Sequence, residues 1–247
     1  VNHNCASISL AVYLTLRDAY ICSAISIGWS SPDMNFNIAE SSSGAIVCMP
    51  PFSSFEIYAG LFSMWLLIYL PESYRWNNKR RYPVLYMFDG HNLFFDSDAT
   101  YGKSWGMNKY MMTSKKQLII VAVECNHEGN RRLVEYSPLN YTNSEHGTIK
   151  GKGSITMNWL VNTLKPYVDE NYRTLPDRKN TIIAGSSMGG LIALYGATVY
   201  NHTFQRGACL SPSLWAAPGK VLEMVTDAEL VILAFGFGAG TAVAVVV

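Results

Sequence analysis

The sequence of 247 residues contains little charge, since charged residues make up 15% of it and the formal net charge is +1. It has neither a basic field nor an acidic tail, so nothing in it indicates a nucleic-acid partner. We expect a small-molecule substrate instead. The five cysteines are odd in number, widely spaced and without a CxxC pair. This spacing argues against a zinc site or a disulfide framework and favours buried, reduced thiols in a cytoplasmic protein.

We expect neither end of the sequence to be a targeting or membrane-spanning segment. No Lys or Arg precedes the apolar stretch 6–16, which makes it a poor signal peptide. Residues 230–247 are uncharged but contain three glycines. We interpret them as a buried strand followed by an irregular tail and expect no membrane partner. The alternative, a membrane anchor of roughly 20 residues, predicts solubility that depends on detergent.

The sequence pattern predicts an α/β fold in a single domain. Short apolar runs typical of buried parallel strands alternate with helical patterns over 155–168 and 191–200. The predicted strands cover 64–70, 84–88, 118–123, 181–184 and 230–235. Pro166 should kink the first helix or mark its last turns. We predict that this domain covers 55–247, preceded by a segment, 1–54, of unclear role.

One motif carries the chemistry. The run Gly185-Ser186-Ser187-Met188-Gly189-Gly190 lies between a predicted strand and a predicted helix, which is the context of a nucleophile elbow. Ser187 would sit in a strained conformation at the tip of the turn, where side chains at the flanking glycines would collide with backbone. The Met188 amide, at the start of the helix, could donate to an oxyanion. Ser186 does not occupy the middle of the motif, so packing or a turn hydrogen bond is its expected role.

A second oxyanion donor should follow an earlier strand of the sheet. The run Phe88-Asp89-Gly90-His91-Asn92 follows the strand predicted over 84–88. Gly90 would let the backbone turn back and bring the His91 amide towards the serine. We therefore predict a backbone role for His91 and do not propose its ring as the general base.

Several motifs in order resemble the putative-esterase family of α/β-hydrolases, which includes relatives of esterase D, enterochelin esterase and feruloyl esterase. The matching segments lie between about residues 55 and 230 and comprise Ile68 to Tyr74, Tyr82 to Phe94 (similar to YPVLY..DGQN.F), Arg132 with Glu135 to Pro138 (R..EYSP), Thr181 to Gly190 (T.IAGSSMGG) and Leu210 to Trp215 (LSPSLW). The resemblance implies an α/β-hydrolase fold with a mainly parallel central sheet flanked by helices. It also implies hydrolysis of a small-molecule ester without metal or cofactor. Within it, Ser187 matches the nucleophile, and Met188 and His91 match the oxyanion-hole positions.

The general base and its supporting acid are not evident. In this fold they should follow the serine in the chain, but His202 alone among the five histidines does so. We interpret His202 as a loop histidine. The segment 236–241 offers no carboxylate, and Asp227 and Glu229 precede the last predicted strand. We therefore predict that no histidine of this chain reaches Ser187.

Three explanations remain open for the missing partners. The sequence is incomplete or wrongly assigned at its C-terminus, a histidine such as His127 or His146 substitutes, or the domain is a non-catalytic relative that acts by binding. Trp105 and Trp215 are candidates for the walls of a substrate pocket, with core packing as the alternative role for each. The leading hypothesis is a serine carboxylesterase that acts on small or aromatic esters through an acyl-enzyme on Ser187.

Overall fold

Strands of a nine-stranded sheet form the centre of the protein. The computed structural model describes residues 47–49, 52–59, 62–226, 232–237 and 241–246, with side chains over 66–226. The strands of this sheet are β1 (Val47–Met49), β2 (Phe52–Ala59), β3 (Phe62–Tyr69), β4 (Val84–Phe88), β5 (Ile119–Val123), β8 (Thr181–Ser186), β9 (Arg206–Leu210), β10 (Ile232–Phe237) and β11 (Thr241–Val246). Strands β6 (Tyr141–Asn143) and β7 (Gly147–Ile149) form a separate antiparallel pair.

The strand order is β1-β2-β3-β5-β4-β8-β9-β11-β10. The four central strands, β5, β4, β8 and β9, run parallel to one another. The outer strands pair antiparallel on both sides. Because the four central strands are parallel, the loops after Phe88, Val123, Ser186 and Leu210 meet at one edge of the sheet, which we call the carboxyl edge.

The predicted strands are confirmed with small shifts at their ends. The runs 84–88, 118–123 and 181–184 form the parallel centre, the run 64–70 forms β3, and the run 230–235 overlaps β10. Pattern reasoning missed β1, β2 and β11. Since β1 and the start of β2 precede residue 55, the sheet begins before the predicted domain boundary. By contacts, the chain divides into Val1–Ala39 and Glu40–Val247, and the first of these units lies outside the described residues.

Helices cover both faces of the central strands. They are α1 (Met107–Ser114), α2 (Arg131–Tyr136), α3 (Gly153–Trp159), α4 (Lys165–Asn171), α5 (Met188–Val199) and α6 (Pro218–Thr226). Along β5, Ile119, Val121 and Val123 belong to one apolar core, whereas Ile120 and Ala122 belong to a second core that includes Met111 of α1. A strand that is buried on both faces in this way accounts for the continuous apolar runs in the sequence.

A π-helical segment, Leu160–Leu164, joins α3 to α4. It ends two residues before Pro166, which occupies the first turn of α4. Proline has no amide hydrogen and its ring needs space within a helix, and a wider turn accommodates both. The helical path continues to Asn171, so Pro166 does not end it.

Candidate active site

Ser187 lies at the tip of a sharp turn on the carboxyl edge. Strand β8 ends at Ser186 and helix α5 begins at Met188. Ser187 between them has φ 55° and ψ −120°, a left-handed backbone conformation that residues with a side chain rarely adopt. The serine is also exposed. The predicted strand–turn–helix geometry is therefore confirmed.

The two glycines of the motif are required by close backbone approach. A Cβ atom on Gly185 would lie 2.3 Å from the carbonyl oxygen of Gly189. A Cβ atom on Gly189 would lie 2.8 Å from Oδ2 of Asp89. Both distances are shorter than real Cβ contacts, so larger residues would force the turn apart. The second contact also places the Asp89 carboxylate directly against the elbow.

The segment after β9 holds the elbow in place. The Ser187 amide donates to the carbonyl oxygen of Leu210 (3.0 Å), and the Ser213 amide donates to the carbonyl oxygen of Ser187 (3.0 Å). The hydroxyl oxygens of Ser187 and Ser213 are 3.2 Å apart. Ser213 is buried. Its hydroxyl therefore occupies one of the positions from which a group can form a hydrogen bond with the Ser187 oxygen. The sequence analysis did not assign this function to the segment that resembles LSPSLW.

The two predicted oxyanion donors differ in their surroundings. Met188 is the first residue of α5, so its amide has no carbonyl partner one turn earlier within the helix. The amide of His91, in the turn Gly90–Asn92, donates to Oε2 of Glu124 at 2.8 Å. A competing acceptor therefore occupies this amide, and its role as an oxyanion donor stays a prediction.

No histidine with a described side chain is hydrogen-bonded to Ser187. His127 contacts Glu124, His146 lies 3.7 Å from the carboxylate of Glu145, and the His202 ring packs beside that of Tyr200. His202 lies in an exposed turn, as predicted. His3, Asp227 and Glu229 lie outside the described residues. In this arrangement the contacts of His127 and His146 are therefore to glutamates and not to Ser187.

An ion pair with a buried carboxylate lies against the elbow. Arg132 of α2 donates from Nε to Oδ1 and from Nη2 to Oδ2 of Asp89, both at 2.7 Å. The Asp89 side chain is 4% exposed and that of Arg132 29%. Burial disfavours the charged guanidinium, but the hydrogen bonds and charge of Asp89 outweigh it and raise the pKa of Arg132. The hydroxyl oxygen of Tyr136 accepts from the Asp89 amide at 3.2 Å and completes the support.

Glu124 is the centre of a polar cluster on the same edge. Its Oε1 lies 2.5 Å from Nδ1 of His91 and 3.2 Å from Nε2 of His127, and it accepts from the Cys125 amide at 2.9 Å. Burial raises the pKa of Glu124, but these interactions, above all those with His91, outweigh burial, and the pKa lies below its ordinary value. Sequence reasoning missed this carboxylate because it directly follows a buried strand without any recognisable motif.

The two candidate pocket tryptophans are both half exposed. Trp105 follows the turn that carries His91 and is 50% exposed, and its amide donates to the Asn92 carbonyl. Trp215 follows β9, is 53% exposed and packs edge-on against Tyr141 with ring centroids 5.7 Å apart. These exposures argue against a core role and leave both rings accessible to a ligand.

Two of the cysteines have described side chains, and both are buried as predicted. Cys125 and Cys209 are buried, free thiols, and burial raises the pKa of Cys209 to about 12. The side chains of the other three cysteines lie outside the described residues.

Within the described part of the chain, no helix is both long enough and apolar enough to cross a membrane.

Comparison with known proteins places the chain in an esterase family. The model of the family described as "Putative esterase" matches residues 63–229, more than half of the chain. The uncharacterized protein YbbA of Bacillus subtilis is 25% identical over 150 residues, which cover 60% of this chain and 56% of YbbA. Esterase MT1326 of Mycobacterium tuberculosis is 31% identical over 136 residues, which cover 55% of this chain and 26% of that protein. The chain thus spans about half, or less, of the length of these curated relatives.

Solved structures show the same fold. An IroE-like serine hydrolase from Shewanella oneidensis matches with a TM-score of 0.58 and 20% identity over 71% of this chain and 55% of that one. Likeness at this level of identity concerns the fold, which is the predicted α/β-hydrolase fold. From the family match and the fold together, the chain belongs to the putative-esterase family of α/β-hydrolases.

Proposed function

We propose that the protein is a serine carboxylesterase that hydrolyses small or aromatic esters through an acyl-enzyme on Ser187. The observation that carries this proposal is the left-handed conformation of Ser187 at an exposed turn between β8 and α5. A strained serine persists where the surrounding structure holds it, and such strain is concentrated at functional sites. Membership of the esterase family supports the same conclusion.

The proposed reaction has two halves. The Ser187 oxygen attacks the ester carbonyl carbon while a base takes its proton, and the alcohol then leaves with a proton. Water attacks the resulting acyl-enzyme in the same way and releases the acid. Within residues 66–226, the side chain bonded to Ser187 Oγ is that of Ser213. We therefore expect the base to come from outside these described side chains.

Stabilisation of the tetrahedral oxyanion is assigned to backbone amides. The Met188 amide is the first donor, supported by the positive end of the α5 dipole. The His91 amide is the proposed second donor, and it can act only when its hydrogen bond to Glu124 is released. One such donor contributes roughly 10²–10³-fold to kcat. Release of Glu124 is therefore a step on which the full rate depends.

The preference for small or aromatic esters rests on Trp105 and Trp215. Half-exposed rings offer flat apolar surface for an acyl or alcohol group of a small-molecule ester, as most small-molecule pockets do. A small-molecule ester is thus the proposed partner.

The buried thiols of Cys125 and Cys209 support a cytoplasmic location, because free thiols persist in a reducing compartment.

The test compares Ser187→Ala with Ser186→Ala on p-nitrophenyl acetate and on an aryl ester such as methyl benzoate. The two serines are neighbours, so Ser186→Ala controls for general damage to the turn. We expect hydrolysis to fall to the residual level given by binding and the oxyanion hole in Ser187→Ala, and to persist in Ser186→Ala. Equal rates in wild type and Ser187→Ala would contradict the proposal and favour a non-catalytic binding domain.

A further inference from the structure

Four potential metal ligands converge on the carboxyl edge. His91 follows β4, and Glu124, Cys125 and His127 follow β5. Because β4 and β5 are parallel neighbours in which Phe88 pairs with Val123, their exits lie side by side. One ligand atom from each of the four side chains lies within 4.8 Å of all the others. Residues 33 positions apart in the sequence are thereby brought together.

We propose that His91, Glu124, Cys125 and His127 bind a divalent transition-metal cation of the zinc class. Two imidazole nitrogens, one sulfur and one carboxylate oxygen are ligands that zinc accepts. Sulfur and nitrogen ligands disfavour magnesium and calcium, which prefer oxygen. Four protein ligands make a closed site, which is typical of a structural rather than a catalytic zinc ion.

The spacing of the ligand atoms suits such an ion. Ligand bonds of 2.0–2.3 Å in a tetrahedron place the ligand atoms roughly 3.3–3.8 Å apart. The widest separation in the cluster, at most 4.8 Å, therefore needs to shrink by about 1 Å. The 2.5 Å contact between His91 Nδ1 and Glu124 Oε1 needs to widen. Rotations of the side chains about their own bonds can supply movements of this size.

The environment of the cluster is also that of a metal site. Nε2 of His91 lies 2.9 Å from the Thr100 hydroxyl, which can fix the ring with Nδ1 facing the ion. The Cys125 amide holds Oε1 of Glu124. Cys125 is buried, whereas the His127 side chain is 59% exposed and leaves an entry path.

The sequence contains no paired cysteines, and for that reason we expected no zinc site. Paired cysteines, however, are typical of zinc sites built mainly from thiolates. Here a single cysteine acts with two histidines and a glutamate. The proposed ion does not replace the serine mechanism, because no ligand of the cluster is hydrogen-bonded to Ser187.

The experiment titrates chelator-treated full-length protein with zinc chloride by calorimetry, and with cobalt chloride by absorption spectroscopy. We expect one zinc ion per chain. Cobalt should give the visible bands of a tetrahedral site and a near-ultraviolet thiolate-to-metal band. Binding as thiolate transfers the Cys125 proton to the solvent, so the calorimetric heat should depend on the buffer. Zinc should also raise the thermal unfolding midpoint, because it binds the folded chain.

Matched variants distinguish this site from other ligands in the chain. Cys125→Ser should abolish the thiolate band, whereas Cys209→Ser, which alters another buried free thiol, should retain it. His127→Gln should weaken zinc binding at least about tenfold and His202→Gln should not, and both rings are exposed, so both variants should fold. Thr100→Val should weaken binding by roughly 10–100-fold. Failure of zinc to bind stoichiometrically, or equal binding in wild type, Cys125→Ser and His127→Gln, overturns the proposal.

Discussion

Removal of Arg132 should destabilise the protein more than removal of the charge on its partner Asp89. In Arg132→Met the Asp89 carboxylate, 4% exposed, stays buried without its two charged hydrogen bonds. Loss of one partner of a buried pair costs about 3–5 kcal/mol of the free energy of unfolding. Methionine keeps much of the side-chain volume, so the electrostatic loss dominates.

The change on the other side of the ion pair, Asp89→Asn, should lower the free energy of unfolding less than Arg132→Met does. The Arg132 side chain is 29% exposed, so its guanidinium can gain hydrogen bonds to water. Asparagine keeps the shape, still accepts one hydrogen bond, and tolerates the left-handed conformation at this position, φ 59°. Loss of one hydrogen bond between charged groups costs about 1.5–3 kcal/mol.

Urea unfolding at neutral pH, followed by circular dichroism, measures both effects. The m-value should stay constant, which shows that stability and not the unfolded state has changed. The double variant, Arg132→Met with Asp89→Asn, should lose less free energy of unfolding than the two single variants lose in sum, because it removes both charges together. An Arg132→Met variant that is as stable as Asp89→Asn would refute the reasoning. Ester turnover should also fall in Arg132→Met. Arg132 holds the Asp89 carboxylate, and that carboxylate lies against Gly189 of the elbow.

Three further predictions concern the elbow, a loop and a thiol. Gly185→Ala should lower the free energy of unfolding by at least about 1–3 kcal/mol, because its Cβ would meet elbow backbone at 2.3 Å. Gly219→Ala, where nothing lies within 4 Å, should be neutral or stabilising in the same urea assay. Asp96→Asn should speed hydrogen exchange of the Ser104 amide, measured by NMR, since the Asp96 carboxylate accepts from that amide; an unchanged rate would contradict this role. Native Cys209 should resist a thiol reagent at pH 8 and react in urea, and rapid native labelling in peptide maps would contradict its burial.

Local sequence patterns predicted the elements that depend on local chemistry. The Gly185-x-Ser187-x-Gly189 spacing after an apolar run predicted the elbow, because the residues that form the turn itself are consecutive in the sequence. The central strands were predictable because burial on both faces demands continuous apolar runs. Strand β1 was missed because residues 1–52 show no clear period in the sequence.

Contacts between distant segments could not be predicted in this way. Asp89 and Arg132 are 43 residues apart, and Glu124 is 33 residues from His91. Pattern reasoning identified Asp89 and Arg132 within separate motifs but gave no reason to pair them. The hydrogen bond from the His91 amide to Glu124 was unpredictable for the same reason, because Glu124 follows a different strand.

The most direct test of the central claim is labelling of the full-length protein with a fluorophosphonate, followed by peptide mapping of the modified residue. The reagent bonds covalently to an activated serine, so the account predicts one label per chain on Ser187 and no label in Ser187→Ala. Ser213→Ala should still be labelled, because the Ser213 hydroxyl touches the nucleophile without replacing it. A label on another serine, or a folded protein that takes no label, would contradict the assignment of Ser187 as the nucleophile.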